Sequence, residues 1–266
     1  MVAALAYVEA PPVTPLPYGL LSAATVIDAG GGHWQMGAQY EPDYCGPAFT
    51  TEAACVPAEE KEGTDDWKVG EFSPFVVYLL TQCSTVGGWD RARARVERGL
   101  TLGEGRAVEG RFAYLLAHDP DSVVLPGSPL GPLEPKVALA YLEEQAAILY
   151  GGVPTIHASR GTVSMLGKRV ESSSNRLTTI QGATVASYSL PATALAPQGR
   201  TGSFMWATGP VTIRRGDIEV SGPVLGVGEH GPINTANALG ERPYAVAWEC
   251  FAIAVEVTPL LLEEES

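Results

Sequence analysis

The segment from Trp89 to His118 is the longest stretch of the sequence that is compatible with a helix. Its apolar residues recur at intervals of three or four, which places them on one helical face. They are Ala92, Val96, Leu100, Ala107, Val108, Phe112 and Leu115. Charged residues fill the positions between them, and opposite charges three or four residues apart stabilise an exposed helical face by roughly 0.2–0.5 kcal/mol per pair.

Four glycines interrupt this helical pattern. They are Gly99, Gly103, Gly105 and Gly110. Each glycine costs about 1 kcal/mol relative to alanine in a helix interior. The segment is therefore either one long, bendable helix that is held by its packing, or two helices separated near Gly103–Gly105. Taken alone, an ordinary surface helix is its simplest interpretation.

Length and composition set the limits for the rest of the chain. A chain of 266 residues forms one large domain or two smaller ones. Its 30 glycines and 21 prolines favour turns, loops and strands over helices. A net charge of −13 opposes direct binding to phosphate backbones, although a container wall with this charge could still face packed nucleic acid. We expect neither a signal peptide nor a membrane span, because the N-terminus lacks a basic region and no apolar run is long enough.

The cysteines and histidines predict no metal site. Cys45, Cys55, Cys83 and Cys250 form no CxxC pair, and the four histidines are scattered. Cys45 and Cys55 bracket a loop and could pair under oxidising conditions. We expect free thiols instead, since the chain has the features of an intracellular protein.

The N-terminal quarter predicts an arm and a long loop. Residues 1–32 contain closely spaced prolines that exclude a helix, and their apolar side chains indicate an arm lying across another surface. Deletion of residues 1–25 is therefore expected to leave a folded subunit that assembles poorly. Residues 33–71 predict a hairpin-like excursion with the charged tip AEEKEGTDD, and their aromatic residues indicate packing against a partner.

Two segments flank the long helical stretch. Residues 72–84 predict a buried strand or a short helix. Residues 134–152 show the clearest helical pattern of the chain, which starts at Glu134–Pro135 and stops at Gly151–Gly152.

From residue 153 the pattern changes to strands and short helices. VPTIHA predicts a strand, and a short helix follows with Ser159 as its N-cap. Two strands joined at Gly182 come next. The remaining predictions are a hairpin about Arg215–Gly216–Asp217, a glycine-rich loop over 223–241 and a long strand over 242–262.

Short motifs do not predict a reaction. Gly226–Gly231 matches GxGxxG, but Pro232 follows where a dinucleotide fingerprint would open a helix. The Arg-Gly-Asp triplet suits a tight turn. His157 lies in an apolar strand and is interpreted as a core or interface residue. The carboxylates at the loop tip, Glu59, Glu60, Asp65 and Asp66, are interpreted as a solvated face.

Standard catalytic signatures are absent from the sequence. It contains no GxSxG, HExxH or GxxxxGK[ST] motif, and no combination of base, nucleophile and orienting group is recognisable. We therefore predict no catalytic residues, no cofactor-binding residues and no metal ligands.

The order of the predicted elements is distinctive. A proline-rich arm, a long loop, a long charged helix, a second helix, a mixed strand–helix section and a late strand follow one another. This order resembles the major capsid protein of tailed bacteriophages, which has the Hong Kong 97-like fold. YGGVPTIHASRGTVSML followed by RLTTIQGATV is similar to stretches of phage capsid-like proteins, and FMWATGPVTIRRGDIEV and ERPYAVAWECFAIAVEV share their pattern.

The resemblance implies an α+β fold with five parts. They are an N-terminal arm (1–32), an extended loop (33–71), a peripheral domain (72–133) with the spine helix 89–118, an axial domain (134–235), and a return to the peripheral domain with a C-terminal tail (236–266). No charged helical leader of the scaffolding type is recognised before the arm, so we expect that scaffolding is either absent or a separate protein.

The resemblance also implies a role. It is that of a structural virion protein, not an enzyme, which self-assembles as pentamers and hexamers into an icosahedral shell. The shell would enclose double-stranded DNA without sequence-specific binding and without a membrane, after synthesis in the host bacterial cytoplasm. Scaffolding, portal and decoration proteins are candidate further partners. The alternatives are a capsid-decorating or head–tail joining protein, an encapsulin-type compartment shell, and an enzyme whose site the sequence does not reveal.

Overall fold

The computed structural model describes residues 11–30, 33–41, 45, 69–84, 89–127, 131–228 and 231–260. Within these ranges the helices are α1 (Leu20–Ala23), α2 (Trp89–His118), α3 (Pro135–Leu149) and α4 (Arg160–Leu166). The strands are β1 (Thr25–Asp28), β2 (Ala38–Tyr40), β3 (Gly70–Ser84), β4 (Val123–Val124), β5 (Thr155–Ser159), β6 (Val170–Ser173), β7 (Arg176–Thr179), β8 (Thr184–Tyr188), β9 (Ser203–Thr208), β10 (Val211–Arg215), β11 (Glu219–Gly228), β12 (Gly231–Trp248) and β13 (Ala252–Val257). Short 3₁₀ turns lie at His33–Met36, Gly167–Arg169 and Ala192–Leu195.

The strands form two mixed sheets. The six-stranded sheet has the order β1-β10-β12-β3-β2, and β11 pairs with β12 on the side that β10 also occupies. The seven-stranded sheet has the order β4-β13-β9-β5-β8-β7-β6. Antiparallel pairs predominate, and the parallel pairs are β1 with β10, β4 with β13, and β5 with β8. The predicted α+β class is confirmed.

The long helix α2 is continuous over 30 residues, about 45 Å, so the alternative of two helices is wrong. Its buried residues recur at every fourth position from Ala92 to Leu116. Four residues turn a helix by about 400°, so this stripe rotates by about 40° at each step. The first turns consequently pack near Ala238 of β12, whereas the last turns share a core with Trp206 of β9. Of the predicted apolar face, Ala107 is exposed and Leu115 is half-buried.

Two hydrophobic cores cover the seven-stranded sheet. On one face, Phe204 and Trp206 of β9 join the core that α2 contributes to. On the other face, Met205 and Ala207 pack in a core with Leu142 of α3. All six residues of β9 and all five of β5 are buried, as expected for strands covered on both faces.

Beyond its first residues, strand β3 is buried on one face only, so the prediction of a buried strand is wrong for most of its other face. On that other face Phe72 is buried against Trp34 and Tyr40, but the residues that follow it are exposed. Val77 is buried on the side of α2. On the opposite side Val76, Tyr78 and Leu80 are 52%, 68% and 57% exposed. The reason is that α2 covers only one side of the six-stranded sheet.

The predicted arm is described from residue 11 onward. Residues 11–17 are exposed. Leu20 in α1 is fully buried in the main core, and β1 pairs in parallel with β10. The C-terminal part of this segment is therefore part of the subunit's own core, and we no longer expect the deletion of residues 1–25 to leave a folded subunit.

Two predictions for residues 210–241 are wrong. Residues 215–217 are not a hairpin, because β10 and β11 lie one after the other along the same side of β12 and do not pair with each other. The segment 223–241 is not a loop, because β11 and β12 pair across it. Its glycines favour a loop by propensity, but the long ladder between β12 and β3 holds this segment in a sheet.

The predicted long strand over 242–262 is two strands in different sheets. It is interrupted between Trp248 and Ala252, where Cys250 has a positive φ of 69°. The chain crosses between the sheets here and also at Gly209–Pro210, and the Glu249 amide donates to the Pro210 carbonyl oxygen at 3.1 Å. A Cβ atom on residue 209 would lie 2.3 Å from the Glu249 carbonyl oxygen, so only glycine fits. The predicted domain boundary at 235 falls inside β12, and the domain division stays a prediction.

Several local predictions are confirmed. The helix over 134–152 is observed as α3, with Pro135 in its first turn. The Ser159 side chain accepts a hydrogen bond from the Thr162 amide and caps α4. Gly182, with a φ of 94°, lies in the turn between β7 and β8. In the described part of the chain, no helix combines the length and apolar character needed to cross a membrane.

Candidate functional site

Glu109 of α2 binds the incoming N-terminal segment through a buried carboxylate. It is 2% exposed. Its Oε1 accepts from the Leu20 amide at 3.2 Å, and its Oε2 accepts from the Ser189 amide at 2.7 Å. Burial raises the pKa of this carboxyl group, while the two amide donors and the nearby Arg160 oppose the rise. A Cβ atom on residue 19 would lie 2.4 Å from Oε1, so the close approach requires Gly19.

Two further hydrogen bonds hold the same segment. Arg160 Nη2 donates to the carbonyl oxygen of Pro17, and the Ser187 amide donates to that of Tyr18 at 2.8 Å. The chain is thus fixed to the body from residue 17 onward. Before that point Val13 and Leu16 are 55% and 63% exposed, so the arm presents apolar side chains to the solvent.

Glu104, the second buried carboxylate of α2, is at the centre of a charged cluster. Its Oε2 accepts from Arg242 Nη1 at 3.0 Å and from the Tyr244 hydroxyl at 2.7 Å. Its Oε1 lies 3.8 Å from Arg215 Nη1, and Arg215 Nε donates to Asp28 at 2.7 Å. The hydrogen bond from Arg215 lowers the pKa of Asp28, and burial followed by the bond to Glu104 raises the pKa of Tyr244. The cluster joins α2 to β1, β10 and β12.

This cluster also accounts for the Arg-Gly-Asp triplet. Arg215 is bound to Asp28 within the subunit, whereas Asp217 is exposed. A Cβ atom on residue 216 would lie 2.6 Å from the Pro243 side chain. The triplet therefore links β10 to β11 beside Pro243 of β12 and is not presented as an exposed tight turn.

The base of the extended loop is fixed at the crossing between the sheets. β2 pairs with the start of β3, so the ends of the predicted hairpin are paired. The Tyr40 hydroxyl donates to the Trp248 carbonyl oxygen at 2.6 Å, and burial raises the pKa of Tyr40 to about 12. Cys45 is bonded to Cys250, with a Cα–Cα distance of 5.4 Å. The expectations of free thiols, or of a pair between Cys45 and Cys55, are therefore wrong.

His157 is a structural residue in the main body of the chain. It is fully buried, and its two ring nitrogens lie 2.9 Å from the Tyr188 hydroxyl and 2.9 Å from Thr208 Oγ1. Burial lowers the pKa of His157 to about 3, so the ring is neutral. Its interpretation as a core residue is confirmed.

The remaining sequence candidates are not brought together. Gly226 and Gly228 belong to β11, and Gly231 begins β12, so the GxGxxG match lies in paired strands and opens no helix. The loop-tip carboxylates at 59, 60, 65 and 66 lie outside the described residues. Within the described ranges no group of three or more His, Cys, Asp or Glu side chains is arranged to hold a metal ion.

Sequence reasoning missed both buried glutamates because charged residues on a helix are normally assigned to its solvent face. One signal was present for Glu104. It lies four residues after Leu100 and four before Val108, in register with the apolar stripe. A similar signal marks Glu109, which lies three residues before Phe112 and four before Ala113, but its partners come from segments that are distant in sequence.

No protein-family model and no curated protein matches this chain. Solved structures do match it along nearly its whole length. The capsid of an empty GTA particle aligns with a TM-score of 0.56 at 10% identity, covering 97% of this chain and 95% of that chain. A virus-like particle from Pyrococcus furiosus aligns with a TM-score of 0.51 at 12% identity, covering 90% and 92%. A chain from Mycobacterium phage Adephagia aligns with a TM-score of 0.51 at 11% identity, covering 96% of both chains. The chain therefore has the Hong Kong 97-like fold of viral capsid proteins.

Proposed function

We propose that this chain assembles with copies of itself into the icosahedral capsid shell of a tailed phage. The observation that carries the proposal is the extent of the capsid fold, which aligns over 97% of the chain with the capsid of the GTA particle. The role is structural, and the chain has no enzymatic activity. In this function the shell encloses double-stranded DNA without reading its sequence.

Two exposed apolar surfaces support assembly. One is the arm, residues 11–16, with Val13 and Leu16 exposed. The other is the outer face of β3, where Val76, Tyr78 and Leu80 form a row. Contiguous exposed apolar surface is a mark of protein–protein contact. Neighbouring subunits bury such surfaces in contacts that are modest individually and large when summed over a closed shell.

The parts of the subunit are assigned accordingly. Residues 1–32 are the arm, 33–71 the extended loop, 72–133 the peripheral domain with α2 as spine, 134–235 the axial domain, and 236–266 the return and tail. The packing of α2 against the six-stranded sheet supports the role of a spine. In this assignment the subunits form pentamers and hexamers, with scaffolding, portal and decoration proteins as further partners in the virion, after synthesis in the host cytoplasm.

A compartment shell is the second candidate function. The observation that favours it is the alignment with a virus-like particle from Pyrococcus furiosus at a TM-score of 0.51. Both functions require a closed shell built from this chain. The two kinds of shell differ in what they enclose. Nucleic acid that is protected from nuclease inside the shell therefore distinguishes a phage capsid from a protein-filled compartment.

The first test is to express the chain alone and with its neighbouring genes and to image the product by negative-stain electron microscopy. We expect closed shells of uniform size. A monodisperse monomer with catalytic turnover would contradict both candidate functions. Binding only to shells made by another protein would indicate a decorating or joining protein instead.

The second test is an arm truncation. A chain lacking residues 1–16 is expected to fold, because among the described residues the hydrogen bonds that fix the N-terminal segment begin at Pro17. It is expected to assemble poorly, because the exposed Val13 and Leu16 are lost. A chain lacking residues 1–25 is the matched comparison, and it is expected to lose subunit stability because Leu20 is removed from the core. Normal shells from the chain lacking residues 1–16 would show that the arm has no role in assembly.

A further inference from the structure

The exposed charge of α2 is mostly positive, although the chain as a whole has a net charge of −13. The helix contains six arginines, no lysine and four acidic residues. Two of the acidic residues, Glu104 and Glu109, are buried in the contacts described above. A third, Glu97, pairs with Arg93 at 2.9 Å. The fourth, Asp90, is exposed at the start of the helix. The folding of the helix therefore buries two of its four carboxylates and leaves five of its six arginines exposed.

Arg95, Arg98 and Arg106 form a row on one side of this helix. Each residue rotates the helix by about 100°, so the three lie within a sector of about 80°. A rise of about 1.5 Å per residue separates them by about 4.5 Å and 12 Å along the axis. All three are exposed, and none has an ion-pair partner among the described residues.

No acidic residue interrupts the row. Between Arg95 and Arg106 the same sector contains only Leu102, which is exposed. The flanking glycines differ, because a Cβ atom on Gly99 would lie 2.6 Å from Leu79 of β3, whereas one on Gly105 would lie 4.0 Å from Leu21. Along this sector of the helix a polyanion therefore meets arginines and no carboxylate.

We propose that this arginine row contacts the phosphate backbone of the nucleic acid enclosed by the shell. The inference rests on the proposed function, because packed DNA is the polyanion that a capsid wall faces. Guanidinium groups donate paired hydrogen bonds to phosphate oxygens, which favours arginine over lysine at phosphate contacts. Three such phosphate contacts confer no DNA sequence specificity, since specificity requires contacts to base edges. The surrounding negative charge keeps the contact weak, so that DNA is lined up along the wall but not trapped.

The test uses the unassembled full-length chain and a fluorescent DNA duplex of about 20 base pairs, with binding followed by anisotropy. Three phosphate contacts predict a log–log salt slope of about −2.7, so the affinity falls about 40-fold between roughly 50 and 200 mM NaCl. The triple variant Arg95→Gln, Arg98→Gln, Arg106→Gln is expected to weaken binding at least about 10-fold at the lower salt and to flatten the slope.

The matched control removes the same charge elsewhere. Lys136, Arg176 and Arg200 are exposed cations outside α2. The variant Lys136→Gln, Arg176→Gln, Arg200→Gln is expected to change the affinity by less than about 2-fold. Equal weakening in the two triple variants would overturn the proposal, because the effect would then be one of net charge. Absence of binding by the unaltered chain at low salt would overturn it too.

Imaging of the same variants separates this inference from the proposed function. Closed shells from a chain whose duplex binding does not depend on the row would overturn the inference alone. Loss of shells in the arginine variant with unchanged duplex binding would also overturn it, and would assign the row to an acidic segment of a second copy, such as residues 59–66. Duplex binding through the row without any shells would instead contradict the proposed function.

Discussion

Replacing Glu109 by glutamine tests the anchor between the long helix and the N-terminal segment. The two carboxylate oxygens accept from the buried amides of Leu20 and Ser189. A glutamine amide has the same shape but only one accepting oxygen, so one of these amides would face an NH₂ group and lose its partner. A buried unsatisfied donor costs about 1–3 kcal/mol. Burial of the carboxylate raises the pKa of Glu109, so the buried charge is itself unfavourable. The neutral glutamine removes this charge, which offsets part of the cost.

The magnitude expected for Glu109→Gln is therefore a loss of about 1–2 kcal/mol in the free energy of unfolding. Urea unfolding of the unassembled subunit measures this loss. Glu97→Gln is the matched control on the same helix, because Glu97 is paired with Arg93 at a solvent-exposed i,i+4 position, where such pairs contribute about 0.3–0.5 kcal/mol. Amide hydrogen exchange supplies a local measurement, with faster exchange expected at Leu20.

Two results would refute this account of the anchor. The first is a loss for Glu109→Gln within about 0.5 kcal/mol of that for Glu97→Gln. The second is unchanged exchange at the Leu20 amide in a variant that is nevertheless destabilised. In that case the carboxylate would stabilise the helix by some other route and would not hold the N-terminal segment.

Three further predictions concern His157, the disulfide and the glycines of α2. Burial keeps the pKa of His157 in the folded state near 3, below the ordinary value of 6.5, so the unfolded chain binds a proton first and the free energy of unfolding falls as the pH drops from about 6.5 towards 3. The loss expected at pH 4.5 is about 2–3 kcal/mol. His157→Gln is expected to flatten this acid limb of the stability–pH profile, whereas the surface variant His118→Gln is expected to retain it. The disulfide between Cys45 and Cys250 closes a separation of 205 residues, so its reduction is expected to lower the free energy of unfolding of the wild type by about 2–4 kcal/mol. The same reducing treatment is expected to leave the stability of the Cys250→Ser variant unchanged. A peptide map that joins Cys45 to Cys55 would contradict the assignment. Among the described residues, a methyl group on Gly103 meets nothing within 4 Å and one on Gly105 reaches only Leu21, whereas Gly99→Ala clashes with Leu79 at 2.6 Å. The double alanine variant at 103 and 105 is therefore expected to gain about 1–2 kcal/mol in the free energy of unfolding and to form less uniform particles. Unchanged assembly and particle shape in this variant would exclude a role for these glycines in bending the spine.

The sequence alone predicts the elements whose signal is local. The periodicity of α2, the Pro135 start of α3 and the Ser159 cap each arise within one or two helical turns, so no distant residue is needed to recognise them. The glycines of α2 leave open, from the sequence alone, whether the helix is continuous, because their low helix propensity opposes the stabilisation that packing against the sheet supplies. The burial of Val96 against β12, for example, depends on Gly240, where a Cβ atom would lie 2.3 Å from Val96.

Elements that depend on distant pairing are not predictable in this way. β11 and β12 contain glycines that normally break strands. β12 is ordered by pairing with β3, which lies far earlier in the chain, and β11 is ordered by pairing with β12. The bond from Cys45 to Cys250 and the hydrogen bond from Tyr40 to Trp248 both join segments more than two hundred residues apart. The interruption between β12 and β13 was missed because the apolar pattern continues through it, although the strands enter different sheets.

The mass of the purified assembly tests the central claim most directly. A closed icosahedral shell contains at least 60 copies of the 28.0 kDa chain, about 1.7 MDa in total. Sedimentation velocity on the full-length chain is expected to show a narrow boundary at or above this mass, which is lost when residues 1–16 are removed. A single species at 28.0 kDa, under conditions in which the chain is folded and expressed with its neighbouring genes, would contradict a shell-forming function.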